Sequence, residues 1–457
     1  MRLKRITALF LAVLTCIFTL TAGVSAAEKK GIKLDKTKVT VAVGETCTLK
    51  PSLVGYKKAT VQWSSSDKSV ATVKKGVVTA KKEGTAKITV KIKDTKYKAT
   101  CTVTVTKKAS GNAVSNKGNN NYKDTNAFIS KLKVGWNLGN ALDATGGSGV
   151  SSETSWGNVK TTKELITAVK KAGFNTIRIP VSWGKHIDDS GKIDEAWLNR
   201  VQEVVDYAYD NNMYIILNVH HDNNAFPLDE KNEAAVTKKY KNLWKQIAAR
   251  FKDYDEKLIF EGRNEPRTEG SAKEWVGGTK PEWEVMNRMY KVFVSTVRES
   301  GGNNKNRFLM IAPYAATATS YQAMTGLEIP DDDRIIVEVH AYNPNTLALD
   351  GNMSYTAFDE KAQNELDWVF DNINKAYISK GIPVILDECG YTNKGNTDER
   401  IKAYTYMITK AKSYGIPCVI WDNGGTGTGG EKFGFINRTT CEWYFPELVK
   451  AIVDAAK

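Results

Sequence analysis

Two periodicities divide the chain. Between residues 31 and 106, apolar and polar positions alternate in short runs: Val39-Thr-Val-Ala-Val43, Val61-Gln-Trp63, Ala71-Thr-Val73, Ala86-Lys-Ile-Thr-Val90 and Ala99-Thr-Cys-Thr-Val-Thr-Val105. A period of two sends successive side chains to opposite faces of a strand, and Gly44, Gly76 and Gly84 punctuate the runs as turns. The pattern predicts a small all-β sandwich. From about residue 126 short apolar runs alternate instead with amphipathic helical stretches such as Lys163–Ala172, Glu195–Asp210 and residues 235–251. The runs are Leu132-Lys-Val-Gly-Trp136, Thr176-Ile-Arg-Ile179, Tyr214-Ile-Ile-Leu-Asn-Val219, Leu258-Ile-Phe260, Phe308-Leu-Met-Ile-Ala312, Ile335-Ile-Val-Glu-Val339, Val384-Ile-Leu386 and Cys418-Val-Ile-Trp421. Eight strands separated by helices predict an α/β chain, a (β/α)8 barrel over residues 126–457, with residues 315–333 the least helical connection.

The remaining segments read differently. Met1-Arg-Leu-Lys-Arg5 is a basic start, residues 6–20 an apolar stretch and Val24-Ser25-Ala26 a small-residue cleavage site, so residues 1–26 are expected to be a signal peptide and the mature protein to be secreted. Residues 107–125, rich in Gly, Asn and Ser, are expected to be a flexible linker. The chain's formal charge of +14 is local: residues 28–108 hold 20 lysines against 6 acids. That segment has only Tyr56, Trp63 and Tyr97 among its lysines, which argues against a nucleic-acid partner and for a solvated surface with weak attraction to anionic cell-wall polymers. Cysteine spacing suggests no metal site; Cys47 and Cys101 lie in alternating strands, where a disulfide and two buried thiols are comparable readings. A monomer without a membrane span after signal removal is expected.

The chemistry gathers at the predicted strand ends. Ile259-Phe-Glu-Gly-Arg-Asn-Glu-Pro-Arg267 runs from an apolar strand to Glu265, where Pro266 stops pairing. Pro383-Val-Ile-Leu-Asp-Glu-Cys-Gly390 delivers Glu388 in the same way. Two carboxylates at barrel strand ends suit glycosidic hydrolysis, one protonating the leaving oxygen and one ionised. The second strand offers Arg178, the third His220 and His221, the fourth Asn264, the sixth His340 and Tyr342, and the eighth Trp421. An arginine fork keeps a neighbouring carboxylate ionised, and a tryptophan face carries a pyranose ring. His186 is expected on a surface loop. A metal-dependent hydrolase built on His220, His221, Asp222 and His340 is disfavoured, because no ligand pair stands on the first strand. No metal or cofactor is expected.

The motifs Gly135-Trp-Asn-Leu-Gly-Asn-Ala-Leu-Asp143, Glu153-Thr-Ser-Trp-Gly-Asn158, Phe174-Asn-Thr-Ile-Arg-Ile-Pro-Val-Ser-Trp183, Asn218-Val-His-His-Asp222, Phe260-Glu-Gly-Arg-Asn-Glu-Pro-Arg267, Glu338-Val-His-Ala-Tyr-Asn-Pro344 and Trp421-Asp-Asn-Gly424 resemble glycoside hydrolase family 5, in particular its endoglucanase subgroup 4. Trp63-Ser-Ser-Ser-Asp-Lys-Ser-Val-Ala-Thr-Val73 with Gly76-Val-Val-Thr-Ala80 resembles the bacterial Ig-like domain of group 2, which implies a spacer or wall-contacting module. The first resemblance implies a retaining endo-β-1,4-glucanase acting on β-glucan, with xyloglucan as the nearest variant substrate and a non-catalytic sugar-binding barrel as the remote alternative. It implies Glu265 as acid/base and Glu388 as nucleophile, supported by Arg178, His220, Asn264, His340, Tyr342 and Trp421, with His221 and Asn137 as weaker sugar contacts. Three departures stand out. Asp387 and Cys389 flank the nucleophile where the family usually has a small residue and an aromatic; alternation predicts that Asp387 faces away from Glu388. Arg263 replaces a usually apolar residue and is expected to pair with Glu261 or Glu338. Asn264 and Glu265 need a bulge or twist to reach one pocket together.

Overall fold

The computed structural model describes residues 30–44, 46–106 and 122–457. The expected signal peptide and residues 107–121 of the expected linker lie outside these. The chain divides into two compact units.

In the first unit, Val61–Ser65, Gly84–Ile92, Lys98–Thr106 and Lys38–Ala42 form a four-stranded sheet in that order, the last pair parallel. Thr46–Thr48, Val77–Ala80 and Ala71–Lys74 form a three-stranded sheet, and Gly31–Leu34 pairs with Pro51–Val54. The alternation is realised residue by residue: Ala86, Ile88, Val90 and Ile92 are buried while Lys87 and Lys91 are exposed. The core collects Leu49, Val78, Ile88, Cys101 and Val103. Cys47 and Cys101 are free thiols.

The second unit is a closed barrel of eight parallel strands, Val134–Asn137, Thr176–Ile179, Tyr214–Asn218, Leu258–Glu261, Leu309–Ile311, Ile335–Ala341, Val384–Cys389 and Cys418–Ile420, the eighth pairing with the first. The connection over residues 315–333 holds the end of a 3-10 turn, Tyr314–Ala316, and the short helix Tyr321–Gly326. Helix Lys123–Ile129 takes in the last three residues of the expected linker. Its Phe128 stacks on Phe308 at 3.7 Å, and Phe128 and Ile129 join Ile216, Ile259, Met310, Ile336, Ile385 and Val419 in one apolar cluster inside the barrel.

That cluster fixes which rows point inward. Two residues further along the same strands stand Asn218, Glu261, Glu338 and Asp387, all fully buried. The barrel interior is therefore stacked, with an apolar layer below and a polar, mostly carboxylate layer above it. Asp387 continues the inward row of Ile385, which corrects the expectation that it faces away. Glu388 also reaches the cleft because register slips here: Val339 pairs with Leu386 but His340 with Glu388, so the seventh strand carries an extra residue.

Candidate active site

The C-terminal strand ends enclose a cleft of about 590 Å³ lined by His220, His221, Asn264, Glu265, His340, Tyr342, Glu388 and Trp421. Its floor is organised by Arg178. The guanidinium donates from Nε and Nη2 to the two oxygens of Glu261, both at 2.7 Å. Nη1 donates to Glu388 Oε1 at 2.5 Å and to Asn137 Oδ1 at 3.1 Å, and Nη2 to Asn264 Oδ1 at 2.6 Å. One side chain thus holds Glu388, and it turns Asn264 so that its oxygen is occupied below and its NH2 is left for the cleft. The other Glu388 oxygen accepts from the Tyr342 hydroxyl at 3.0 Å. Asn137 is fully buried beneath this layer, against Arg178 and not on the cleft wall; its amide also donates to the Asp387 carbonyl at 2.9 Å.

His340 bridges the two carboxylates. Its Nδ1 is 2.9 Å from Glu265 Oε1 and 3.5 Å from Glu388 Oε2, and one oxygen of each acid lies within 4.8 Å of the other. Burial acts to neutralise the imidazole, but Glu388, Asp387 and Glu265 outweigh it and push its pKa up to about 10. Burial likewise acts to raise the Glu265 carboxyl, yet the His340 bond and charge, with Arg267, hold it below the usual carboxylate range. Arg178 remains charged: the loss of water is outweighed by Glu261, Asp387 and Glu388. His220 is driven well down by burial and by His221 and Arg178. The neutral ring takes the Asn218 amide at Nδ1, 2.9 Å, which leaves Nε2–H directed at Glu388 Oε1, 3.9 Å away. Trp421 lies parallel to this ring at 6.0 Å. His221 stands at the rim, its Nε2 3.8 Å from Asp143 Oδ2.

Several sequence expectations are corrected. The fourth strand ends at Glu261, so Asn264 and Glu265 lie on the following turn and need no bulge to share the cleft. Arg263 pairs with neither Glu261 nor Glu338. Glu261 is taken by Arg178, and Arg263 donates instead to Asn223 Oδ1 at 2.8 Å; burial without a paired acid lowers its pKa. His186 is not on the surface but buried, stacked on Trp197 at 3.8 Å. Asp222 is absorbed by the backbone N–H groups of Trp183 and Gly184, both at 2.7 Å, and stands apart from the clusters that His220, His221 and His340 form. Among the described residues, Glu265, His340 and Glu388 do converge, as do Asp143, His220 and His221, and Glu338, His340 and Asp387.

Sequence reasoning missed the wall beside Glu265. Arg267 donates to Glu265 Oε2 at 3.2 Å and to Glu274 at 3.0 Å, and its guanidinium lies 4.5 Å from the Trp275 ring. Trp275 (61% exposed) and Trp156 (41%) line the cleft with their rings in solvent. Arg267 was visible as the residue after Asn-Glu-Pro; the tryptophans carried only the weak signal of large aromatics in polar loops.

A (β/α)8 barrel that presents two carboxylates to an aromatic-rimmed cleft at its C-terminal strand ends defines a glycoside hydrolase. Residues 142–427 match the family model Cellulase (glycosyl hydrolase family 5), and residues 29–103 match Bacterial Ig-like domain (group 2). The chain belongs to glycoside hydrolase family 5. Endoglucanase A of Ruminococcus albus is 46% identical over 336 residues, covering 72% of this chain and 92% of that protein. Among solved structures, a GH5-4 broad specificity endoglucanase from Clostridium acetobutylicum superposes with a TM-score of 0.69 at 43% identity, over 72% of this chain and 98% of the other. A family 5 xyloglucan-specific endo-β-1,4-glucanase from a metagenomic library, in complex with cellotriose, does so with a TM-score of 0.70 at 43% identity, over 73% and 99%.

Proposed function

We propose that the chain is a secreted, retaining endo-β-1,4-glucanase in which Glu388 is the nucleophile and Glu265 the acid/base. The observation that carries the reading is the shared imidazole: His340 Nδ1 lies 2.9 Å from Glu265 Oε1 and 3.5 Å from Glu388 Oε2, so one nitrogen reaches both carboxylates. Double displacement uses carboxyl groups about 5–5.5 Å apart, whereas inversion needs about 6.5–9.5 Å to admit a water. Arg178 and Tyr342 hold Glu388 aimed for attack on the anomeric carbon. Glu265, facing the same nitrogen of His340, passes to the departing oxygen the proton it shares with that imidazole and then takes the proton of the incoming water. Once Glu388 is bonded to sugar, its negative charge is gone. The pressure that a like charge puts on Glu265 falls with it, which favours the ionised base of the second step. Trp421 offers a flat face at the bond being cut, and Trp156 and Trp275 extend the aromatic surface, as an open polymer track requires.

Glu265→Gln and Glu388→Gln are each expected to lower kcat on carboxymethylcellulose by about 10²–10⁴; near-normal turnover by either removes the assignment. Proton NMR of the sugar anomers released in the first minutes is expected to show retained β configuration, and initial α product overturns double displacement. Assays on barley glucan, xyloglucan, mannan and xylan rank the substrates; the likeness to endoglucanases supports β-1,4-glucans as the first expectation, with xyloglucan the second reading. Export belongs to the same proposal. Residues 1–26 carry the signal pattern, and no helix among the described residues is long and apolar enough to cross a membrane. N-terminal sequencing of the culture-fluid protein is expected to begin near residue 27.

A further inference from the structure

Beneath the two catalytic carboxylates lies a group of side chains that bond cleavage itself does not use. Glu338 and Asp387 are fully buried on the inward rows of the sixth and seventh strands, each two residues beyond an apolar residue of the inner layer. None of their four carboxylate oxygens has a hydrogen-bond partner, and neither has His340 Nε2. Yet Nε2 is 3.4 Å from Asp387 Oδ1 and 4.0 Å from Glu338 Oε2, and one atom of each of the three residues lies within 4.8 Å of the others. Arg178 Nε is 3.2 Å from Asp387 Oδ2, but that N–H is committed to Glu261.

Two ionised carboxylates this close in a dry interior cannot both persist. The surrounding charges sharpen the conflict. Glu261 and Glu388 face the pair from the fourth and seventh strands, with Glu265 above, against Arg178 and His340; Tyr240, Tyr290 and Arg263 stand on the far side. A single added proton removes one of these negative charges and supplies one of the missing donors.

We propose that Glu338 and Asp387 form a carboxylic acid–carboxylate pair sharing one proton, and that this pair positions His340 from below. Glu338 donates its O–H to Asp387, and Asp387 accepts the Nε2–H of His340. The imidazole is then pinned with a second N–H, on Nδ1, facing Glu265 and Glu388. The proton stays on Glu338 throughout, so both residues act through His340 and neither touches substrate. The electrostatics agree in direction. Burial, then Asp387 and Glu261, push the Glu338 carboxyl well up, while Arg178, Glu338 and His340 overcome burial and hold Asp387 at about 2. The aspartate before the nucleophile, which reads from the sequence as a misfit, becomes the acceptor that orients the bridging histidine.

The idea rests on Glu265 and Glu388 as the catalytic pair, and its test separates the two. Infrared spectra of the full chain at neutral pH are expected to show a protonated carboxylic C=O band that shifts in D2O and vanishes in Glu338→Gln. Glutamine supplies an N–H donor in place of the O–H, so Glu338→Gln is expected to keep the basic limb of the kcat/KM profile in its wild-type position. Asp387→Asn removes an anion that favours protonated His340, so the basic limb, where His340 gives up the proton it shares with Glu265, is expected to move to lower pH by about one unit or more, with kcat falling and KM little changed. The proposal is overturned by the absence of a band that Glu338→Gln removes, by an unmoved limb in Asp387→Asn, or by a stoichiometric metal in the purified chain. If Asp387→Asn fails to fold, the infrared band and Glu338→Gln still decide. A wild type inactive on β-glucans defeats the catalytic reading and leaves the band to settle the pair.

Discussion

His186 shows how far burial can move one residue from its ordinary chemistry. Its ring is stacked on Trp197 at 3.8 Å, and the loss of water lowers its pKa from 6.5 to about 4 despite the pull of Asp194. A histidine held neutral in the fold and free to charge when unfolded makes the unfolded state bind more protons in acid. Its contribution is therefore fully present above about pH 6.5 and is lost as pH falls toward about 4, at roughly 1.4 kcal/mol for each unit of displacement traversed. His186→Phe keeps the stacked shape and removes the titration, so the urea midpoint is expected to fall less steeply over that range than in the wild type. Equal slopes count against the neutral buried ring. Composition hid this residue, because a lone histidine directly after Lys185 carries no burial signal; only the tertiary stack supplies one.

At the scale of strands and turns, the barrel and the gathering of most candidate site residues at one cleft were legible because both are periodic. Eight apolar runs at β-α spacing require a parallel sheet, and chemistry at strand ends follows from the closure of that sheet. What was not legible lies where periodicity breaks. Alternation alone put Asp387 outside, whereas the extra residue between Leu386 and Cys389 lets both acids turn inward. Alternation also assigned Arg263 an acid partner, but the fourth strand stops at Glu261 and the side chain leaves the inward row. The loop after the first strand illustrates a further constraint that sequence hides. A Cβ on Gly139 would come within 2.6 Å of the Trp421 ring and 2.9 Å of the Asp422 carbonyl. Gly139 thus keeps open the slot in which the tryptophan lies parallel to His220. Gly139→Ala is expected to cost about 1–3 kcal/mol by overpacking and, in the folded fraction, to raise KM for cello-oligosaccharides by displacing the ring. An unchanged KM with Trp421 fluorescence as in the wild type refutes that role.

At the scale of the whole molecule, the two units have separate cores and opposite charge balance. The Ig-like unit carries 20 lysines over residues 28–108, many on the outward rows of its sheets, while the catalytic unit is slightly acidic. Charge of one sign spread over an exposed surface attracts polyanions weakly and is screened within about 8 Å at physiological salt. The full chain is expected to be retained on an anionic wall polymer at low ionic strength and released by about 0.5 M salt, where screening is tighter still. A chain lacking residues 30–106 is expected to lose that retention while keeping its kcat on soluble glucan. Salt-insensitive retention would point to a specific sugar contact in place of diffuse charge.

The Arg178 hub has a temporal consequence. It joins groups from the first, second, fourth and seventh strands, and its bond to Glu388 spans 210 residues of sequence. Contacts between such distant positions form late, because their loop entropy must be met before they reward the chain. No shorter portion of the barrel that lacks the seventh strand holds both Glu265 and Glu388 or the guanidinium's full set of partners. Catalysis therefore cannot emerge gradually as the polypeptide is made. It switches on with ring closure, so a chain whose barrel is still open stays inert.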